Sequence, residues 1–237
     1  TFLTVTDKVT GVIEKVALFD GRASERTAIG RNGLMYTCKP YEPAFTLVDG
    51  VMVLSEDPLG ENLVTYSEDF TDPSWSKGGD VNLIGNYSDS PIGEKNMTFY
   101  ENTGTSRQVF KTYNILDPEN RTFTFSAYVK AGTLDQIFLT IRRGDNTDSL
   151  SLLANIIDGE HIVEDIYRIS ITHTFSSSLT GDNVSVFIGS DFSQTGSFQF
   201  WGTQLEQSPV VTSYIPTNGS TAVRLGATGV KTPDISE

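Results

Sequence analysis

The sequence predicts an all-β protein, a jelly-roll β-sandwich with a smaller N-terminal β-rich region or arm. Many short segments alternate apolar and polar residues, which is the two-residue period of a half-buried strand. Turn-forming Asn-Gly and Asp-Gly pairs occur between strand segments, and no long helical stripe interrupts the series. We therefore expect residues 1–60 to form an attachment arm with short hairpins, residues 61–225 the sandwich, and residues 226–237 a flexible tail.

For residues 1–19 the sequence allows two structures, a short helix or strands. Four apolar residues of this segment fit a helical stripe: Val9, Val12, Ile13 and Val16. β-Branched residues dominate the same segment, however, and these favour strands. We expect an arm that docks on a partner, formed either by a short helix or by strands.

Residues 20–60 contain three strong turn signals, at Asp20-Gly21, Asn32-Gly33 and Asp49-Gly50. Apolar segments follow the second and the third turn directly, at Leu34–Tyr36 and Val51–Leu54. Turn pairs of this kind, with apolar segments beside them, predict β-hairpins.

From residue 61 onwards the strand rhythm becomes regular. One predicted strand covers Leu63–Tyr66. The next ones have an inward apolar set, Phe123, Phe125, Val129, Ile137, Leu139 and Ile141, and an outward set, Thr124, Ser126, Tyr128, Lys130, Phe138, Thr140 and Arg142. Segment 167–175 places Tyr167, Ile169, Ile171, His173 and Phe175 on one face and Arg168, Ser170, Thr172 and Thr174 on the other. Such alternation predicts strands with one face on the core.

The stretch 198–216 predicts the strand that closes the sandwich. Phe198, Phe200 and Gly202 would face one way, and Trp201, Thr203 and Leu205 the other. Bulky apolar groups on both faces place such a strand inside a layered structure. We expect Trp201, like Trp75, to lie in the core, because large aromatic residues dominate sandwich cores.

Composition excludes several classes of partner. The chain of 237 residues has 17 basic and 30 acidic side chains and a net charge of −13. Nucleic acid and anionic membrane surfaces both require a positive footprint, so we expect neither as a partner. Cys38 is the single cysteine, so an internal disulfide and a thiolate metal cluster are both excluded.

Catalytic signatures are missing from the sequence, which has no phosphate-binding glycine loop, nucleophile elbow or zinc-protease helix. We predict no enzyme activity, no cofactor and no metal. Asp145, Asn146 and Asp148 form an oxygen-rich turn, but the spacing differs from that of a helix-loop-helix calcium site, so a solvated turn is favoured. For His173, on an apolar strand face, a satisfied core imidazole is favoured over a catalytic role.

The outward strand faces supply one candidate binding site. If the strands are neighbours, four residues combine aromatic rings with planar cationic donors: Tyr128, Phe138, Arg142 and Arg168. Aromatic rings stack on sugar faces while arginine reaches hydroxyl groups, so the set predicts a glycan-binding site. Two alternatives stay open, because a second packed layer or a subunit interface is also rich in aromatic residues and arginine.

Several segments together resemble a broad group of bacteriophage virion proteins from tail fibres, head fibres and minor structural components. The matching segments are DGRASERTAIGRNGLMY at 20–36, LSEDPLGENLVTYSEDFTDPSWSK at 54–77, FTFSAYVKAG at 123–132, YRIS at 167–170 and FWGTQLEQSPVVTSYIPTNGSTAVR at 200–224. Their order and spacing over residues 20–225 carry the resemblance. The NL pair and a last strand ending in Leu-Glu also resemble carbohydrate-binding modules of the galactose-binding jelly-roll type.

The resemblance implies a non-enzymatic structural protein on the exterior of a virion assembled in the host cytoplasm. It would be a fibre, appendage or decoration subunit, with other capsid or tail proteins as partners and host surface glycans as candidate ligands. Virion appendages multiply weak contacts, so a homo-oligomer is expected, with a trimer as one candidate. The alternatives are a dedicated adhesin for cell-surface polysaccharide and a glycan-degrading tailspike enzyme. A structural calcium stays open, because Trp201 and Gly202 occupy the region where such modules often carry an acidic residue.

Overall fold

The computed structural model describes residues 2–6, 13–17, 26–39, 44–48, 51–54, 58–115, 118, 121–144, 147–176 and 183–225. Within these ranges the regular structure is almost entirely strand, with one short 3-10 helix at Ile156–Asp158. None of the described segments forms a helix long and apolar enough to cross a membrane. The predicted tail, residues 226–237, and the Asp20-Gly21 turn lie outside the described residues.

Three two-stranded hairpins form the N-terminal region. The strands are β1 (Phe2–Thr6), β2 (Ile13–Ala17), β3 (Arg26–Ile29), β4 (Met35–Cys38), β5 (Phe45–Val48) and β6 (Val51–Leu54). They pair antiparallel as β1–β2, β3–β4 and β5–β6, so the described parts of the first segment, residues 2–6 and 13–17, form strands. The turn predicted at Asn32-Gly33 joins β3 to β4, and Gly33 has a left-handed φ of 77° that favours glycine.

The remaining strands build two sheets and one short pair. Their bounds are β7 (Gly60–Asn62), β8 (Ser76–Lys77), β9 (Val81–Asp89), β10 (Lys95–Asn102), β11 (Gln108–Asn114), β12 (Thr122–Ala131), β13 (Gln136–Arg143), β14 (Ser149–Asn155), β15 (Glu160–Val163), β16 (Ile166–Thr174), β17 (Asn183–Gly189), β18 (Gly196–Glu206) and β19 (Ala222–Arg224). A six-stranded sheet has the order β15-β16-β12-β18-β10-β9, and a five-stranded sheet has the order β14-β13-β17-β11-β8. β7 pairs with β19. This arrangement confirms the all-β jelly-roll sandwich.

The main core lies between the two sheets and contains the residues predicted to face inward. It includes Phe123, Phe125, Val129, Ile137, Leu139, Ile141, Ile169, Ile171, Phe175, Val184, Val186 and Ile188, together with Trp75. Most of these side chains are fully buried. The two-residue alternation therefore identified the core-facing side of β12, β13 and β16 correctly.

A second apolar cluster covers the other side of the six-stranded sheet. It consists of Met35, Met97, Tyr128, Ile162, Ile166, Trp201 and Tyr214. The β3–β4 hairpin supplies Met35, whose N–H donates to the carbonyl of Pro91 at 2.7 Å, and the Thr27 hydroxyl donates to the carbonyl of Tyr214 at 2.7 Å. This hairpin therefore packs directly on the sandwich, while the division of the chain at residue 60 stays a prediction.

The strand predicted at Leu63–Tyr66 is wrong, because β7 ends at Asn62. The buried Asn62 side chain replaces a sheet ladder at this point: its amide donates to the carbonyls of Thr203 at 3.2 Å and Ile215 at 2.8 Å. Its Oδ1 accepts the N–H groups of Val64 at 3.1 Å and Leu205 at 3.2 Å. One side chain thus fastens this segment beside β18.

A β-bulge in β18 changes which face each residue occupies. Ser126 pairs with Gln204 but Tyr128 pairs with Trp201, so β18 has one residue more than β12 between these pairs. Gly202 lies in the bulge with φ of 59°. The prediction that Leu205 shares a face with Trp201 is therefore wrong: Leu205 lies in the main core and Trp201 in the second cluster.

Candidate functional site

The four residues predicted as one glycan site lie in two different sheets. Tyr128 and Arg168 are direct partners on β12 and β16 of the six-stranded sheet. Phe138 and Arg142 lie on β13 of the five-stranded sheet. The outward sides of two stacked sheets point away from each other, so the prediction of a single shared surface is wrong. The alternation rule gives the face of a strand but not the sheet that the strand joins.

Tyr128 and Arg168 form part of a second packed layer. They are only 2% and 7% exposed. The Arg168 guanidinium lies 5.0 Å from the Tyr128 ring centroid and donates to the carbonyl of Thr212 at 2.7 Å and to the hydroxyl of Ser126 at 3.0 Å. The Tyr128 ring also packs against Trp201. These contacts hold the chain that follows β18 against the sheet and leave little of either side chain for a ligand.

Phe138 and Arg142 belong to a group that we call the Phe–Arg face: the half-buried Phe110, Phe138 and Arg142 and the buried Phe187 on the five-stranded sheet, with the exposed Phe192 from the connection between β17 and β18. Phe110 and Phe187 stack with their ring centroids 5.2 Å apart. The Arg142 guanidinium lies 4.3 Å from the centroid of Phe187, and the rings of Phe138 and Phe192 meet edge to face at 6.3 Å. This face keeps half of the predicted site residues near solvent.

A polar groove of about 520 Å³ lies beside the β9–β10 hairpin. Its lining residues are Tyr66, Glu68, Asp69, Thr71, Gly85, Asn86, Asn96, Thr98, Pro216, Thr217 and Asn218. We call this site the polar groove. Most of the lining side chains carry a carboxylate, an amide or a hydroxyl group, and Tyr66 and Pro216 add ring surfaces.

An irregularity in β9 shapes one wall of the polar groove. Phe99 pairs with Ile84 and Met97 with Ser88, so residues 85–87 form a bulge opposite a single residue of β10. Asn86 has φ of 54° in this bulge. Asparagine is one of the few residues other than glycine that tolerate the left-handed conformation. The bulge thereby places Gly85 and Asn86 in the groove lining.

The opposite wall is held by hydrogen bonds between two distant segments of the chain. The N–H of Thr217 donates to the Ser67 hydroxyl at 2.9 Å, and the N–H of Ser67 donates to the Thr217 hydroxyl oxygen at 3.1 Å. The hydroxyl groups of Ser67 and Tyr214 lie 2.6 Å apart. Tyr66 and Asn218 form a β-bridge beside them. A reciprocal network of this kind fixes the groove before any ligand binds.

Glu68 is the partly buried carboxylate of the polar groove. It accepts hydrogen bonds from the Tyr214 hydroxyl at 3.0 Å and from the Asn96 amide at 3.3 Å. Burial raises the pKa of Glu68; the Tyr214 hydrogen bond lowers it in part, and the negative charge of Glu94 raises it further. The Oδ1 atom of Asn96 is buried and has no hydrogen-bond partner among the described residues.

The more exposed groove residues add further polar groups. Asp69 accepts hydrogen bonds from the backbone N–H of Thr71 at 3.0 Å and from its hydroxyl at 2.6 Å. Asn86 and Asn218 are exposed. Amides both donate and accept hydrogen bonds and carboxylates accept them, which matches a ligand with many hydroxyl groups.

Sequence reasoning did not find the polar groove, although seven of its eleven lining residues lie in two of the segments that carry the family resemblance. Tyr66, Glu68 and Asp69 belong to the segment 54–77, and Thr217 and Asn218 belong to the segment 200–224. The structure brings these two segments, which carried the family resemblance, together as one wall. The polar side chains had no recognisable spacing in the chain, because the two segments are about 150 residues apart.

Metal ligation has no support among the described residues, which contain no group of three or more His, Cys, Asp or Glu side chains positioned to hold an ion. Asp145 and Asn146 of the predicted turn lie outside the described residues. Asp148 accepts hydrogen bonds from His173 Nε2 at 2.7 Å and from the N–H of Ser176 at 2.7 Å. His173 is therefore satisfied by a carboxylate at the edge of the core.

The chain matches no protein-family model, and no curated protein matches it. The CBM22-1 xylan-binding domain of Paenibacillus barcinonensis Xyn10C is similar in structure at 15% identity and a TM-score of 0.45, over 66% of this chain and 100% of that one. The C-terminal family 22 carbohydrate binding module of Clostridium thermocellum Xyn10B is similar at 12% identity and a TM-score of 0.44, over 63% and 97%.

The enzymatically active domain of bacteriophage CBA120 tailspike protein 4 is similar at 13% identity and a TM-score of 0.43. The match covers 61% of this chain but only 21% of that chain. The fold class rests on the strand topology described above.

Proposed function

We propose that this protein is a non-catalytic binding module that holds saccharide chains in the polar groove. The observation that carries the proposal is the groove itself, in which amide, carboxylate and hydroxyl groups from three segments converge beside ring surfaces. Sugar hydroxyls donate and accept hydrogen bonds, and the groove offers both acceptors and donors to them. Its shallow and polar form suits a weak single contact, which a multivalent display would strengthen.

The experiment measures binding on a glycan array, followed by titration calorimetry with the saccharide that gives the strongest signal. Asn218→Ala removes one exposed amide, and Asn86→Gly removes the other while keeping a residue that adopts φ of 54° readily. Each lost hydrogen bond is worth about 1 kcal/mol, so the double variant is expected to bind about tenfold to thirtyfold more weakly.

The matched control is Asn82→Ala, because Asn82 is an exposed asparagine on β9, the strand that contains Asn86, but lies outside the groove lining. It is expected to bind as the wild type does. Loss of affinity in the control, or unchanged affinity in the double variant, contradicts the assignment of the groove.

The Phe–Arg face is the second candidate surface for the saccharide, as the sequence predicted for Phe138 and Arg142. Its support is the stacking of Arg142 on Phe187, which keeps a planar donor beside aromatic rings. Binding that survives the groove variants but is lost in Arg142→Gln would assign the ligand to this face instead.

We further propose that the module is displayed on the exterior of a phage virion as a fibre, appendage or decoration subunit, assembled as a homo-oligomer with other virion proteins. The resemblance of the segments at 20–36, 54–77, 123–132, 167–170 and 200–224 supports this setting. The two alternative functions are a dedicated adhesin, which would occupy the same place on the virion, and a glycan-degrading enzyme, which would shorten the polysaccharide that it binds. Reconstruction of intact particles by electron microscopy tests the setting: absence of the sandwich from the particle surface contradicts it.

A further inference from the structure

Arg107 carries a buried charge that the rest of the described structure does not satisfy. Its side chain is only 2% exposed. Nε, Nη1 and Nη2 are all buried, and none of the three has a hydrogen-bond partner. A guanidinium group has five N–H donors, and leaving them unpaired away from water is costly. Burial lowers the pKa of Arg107, and the negative charge of Asp191 opposes this effect.

Two phenylalanine rings cover the guanidinium. The guanidinium carbon lies 3.0 Å from the ring centroid of Phe192 and 5.8 Å from that of Phe138. Phe192 belongs to the connection between β17 and β18 and is 74% exposed. The nearby Asp191 carboxylate accepts hydrogen bonds from the N–H of Phe192 at 2.6 Å and from the Ser193 hydroxyl at 3.1 Å. The Asp191 oxygens therefore accept hydrogen bonds within the turn. The exposed Phe192 ring lies between the Arg107 guanidinium and solvent.

A cavity of about 250 Å³ opens beside Arg107, lined by Gly78, Thr105, Ser106, Gln108, Phe110 and Phe192. The Ser106 hydroxyl oxygen accepts the N–H of Gly79 at 3.1 Å, which leaves the hydroxyl hydrogen available to donate. Thr105 and Gln108 add further donors to the lining. Donors gathered around an unpaired cation favour an anionic ligand over a neutral one.

We propose that this cavity binds the carboxylate group of an acidic sugar. The guanidinium nitrogens of Arg107 are buried beneath the exposed Phe192 ring, so the carboxylate reaches them when that ring turns aside. The guanidinium fork then matches the carboxylate in two parallel hydrogen bonds, and the sugar ring carrying it would lie against Phe138 and the displaced Phe192 ring. The protein's net charge of −13 also repels a singly charged carboxylate less strongly than a multiply charged phosphate. The site is separate from the polar groove and does not depend on it.

The test measures thermal stabilisation and titration calorimetry of the full chain with glucuronate, glucose and inorganic phosphate. Glucuronate is expected to raise the melting temperature of the wild type and to bind at least tenfold more tightly than glucose or phosphate. Arg107→Met keeps the length of the side chain and removes the charge, so it is expected to abolish the response to glucuronate. Relief from the unpaired charge should keep this variant folded, with a melting temperature at or above that of the wild type.

Arg31→Met, which replaces an exposed arginine in the turn of the β3–β4 hairpin, is the control and should respond as the wild type does. Equal responses of wild type and Arg107→Met to glucuronate overturn the proposal, as does tighter binding of phosphate or glucose. The Asn86→Gly, Asn218→Ala variant should still bind glucuronate. Failure of the saccharide groove can therefore be distinguished from failure of this site.

Discussion

At the scale of single residues, the hydrogen bond between His173 and Asp148 shows how the fold satisfies a polar group at the edge of its core. The two side chains are 16% and 15% exposed, and His173 Nε2 lies 2.7 Å from Asp148 Oδ1. Partial burial alone would raise the pKa of Asp148, but the hydrogen bonds from Ser176 and His173 outweigh it and lower that pKa below its ordinary value near 3.8. A lowered carboxylate pKa makes the folded state favour the ionised form.

This shift predicts a loss of stability in acid. The contribution of Asp148 is fully present above its unfolded pKa near 3.8 and is lost as the pH falls through the lower folded value. The free energy of unfolding of the wild type, measured by denaturant titration, should therefore fall more steeply below pH 4 than that of Asp148→Asn. Asp135→Asn, at an exposed carboxylate, should keep the wild-type slope. Parallel curves for wild type and Asp148→Asn would contradict the assignment.

Sequence reasoning reached the satisfied imidazole of His173 but not its partner. The apolar face of segment 167–175 was readable from alternation, because it depends on nearest neighbours in the chain. Asp148 precedes His173 by 25 residues in the chain, with β14 and β15 between them, and only the folded sheets bring the two side chains together. The polar groove escaped prediction for the same reason.

At the scale of elements, the bulge in β18 determines which residues of this strand pack in the main core and which pack in the second apolar cluster. Gly202 has φ of 59°, and a Cβ atom at this position would lie 2.9 Å from Cδ2 of Tyr128. The bulge lets Phe200 and Leu205 enter the main core while Trp201 enters the second cluster. Alternation predicted the strand and its bulk on both faces, but a bulge depends on pairing with β12 and has no signal in the local period.

Gly202→Ala is predicted to destabilise the protein by about 1–3 kcal/mol, because a non-glycine residue is strained at positive φ and its methyl group meets the Tyr128 ring. Denaturant unfolding measures the change. Gly79→Ala is the matched control, since a Cβ atom there meets nothing within 4 Å. Equal effects of the two substitutions would mean that the bulge does not require glycine.

At the scale of the whole molecule, the six-stranded sheet is covered on both sides and the five-stranded sheet keeps a partly exposed outer face. The β3–β4 hairpin and the segment after β18 form the second cover. This division explains why Tyr128 and Arg168 are buried while Phe138 and Arg142 lie nearer to solvent. The sequence identified most strands, most of their faces and the Asn32-Gly33 turn, while the Asp20-Gly21 and Asp49-Gly50 turns lie outside the described residues. The order of strands within each sheet follows from contacts between distant segments, so the candidate surface could not be assembled from the sequence.

The measurement that tests the saccharide groove most directly is a two-dimensional amide NMR titration of the protein with the saccharide selected on the array. The account predicts that chemical-shift changes concentrate at the groove residues Glu68, Asp69, Gly85, Asn86, Asn96, Thr98, Thr217 and Asn218. With a saccharide that carries no carboxylate, resonances of the five-stranded sheet should stay in place. Shift changes confined to Phe138, Arg142 and their neighbours, with the groove resonances unmoved, would contradict it.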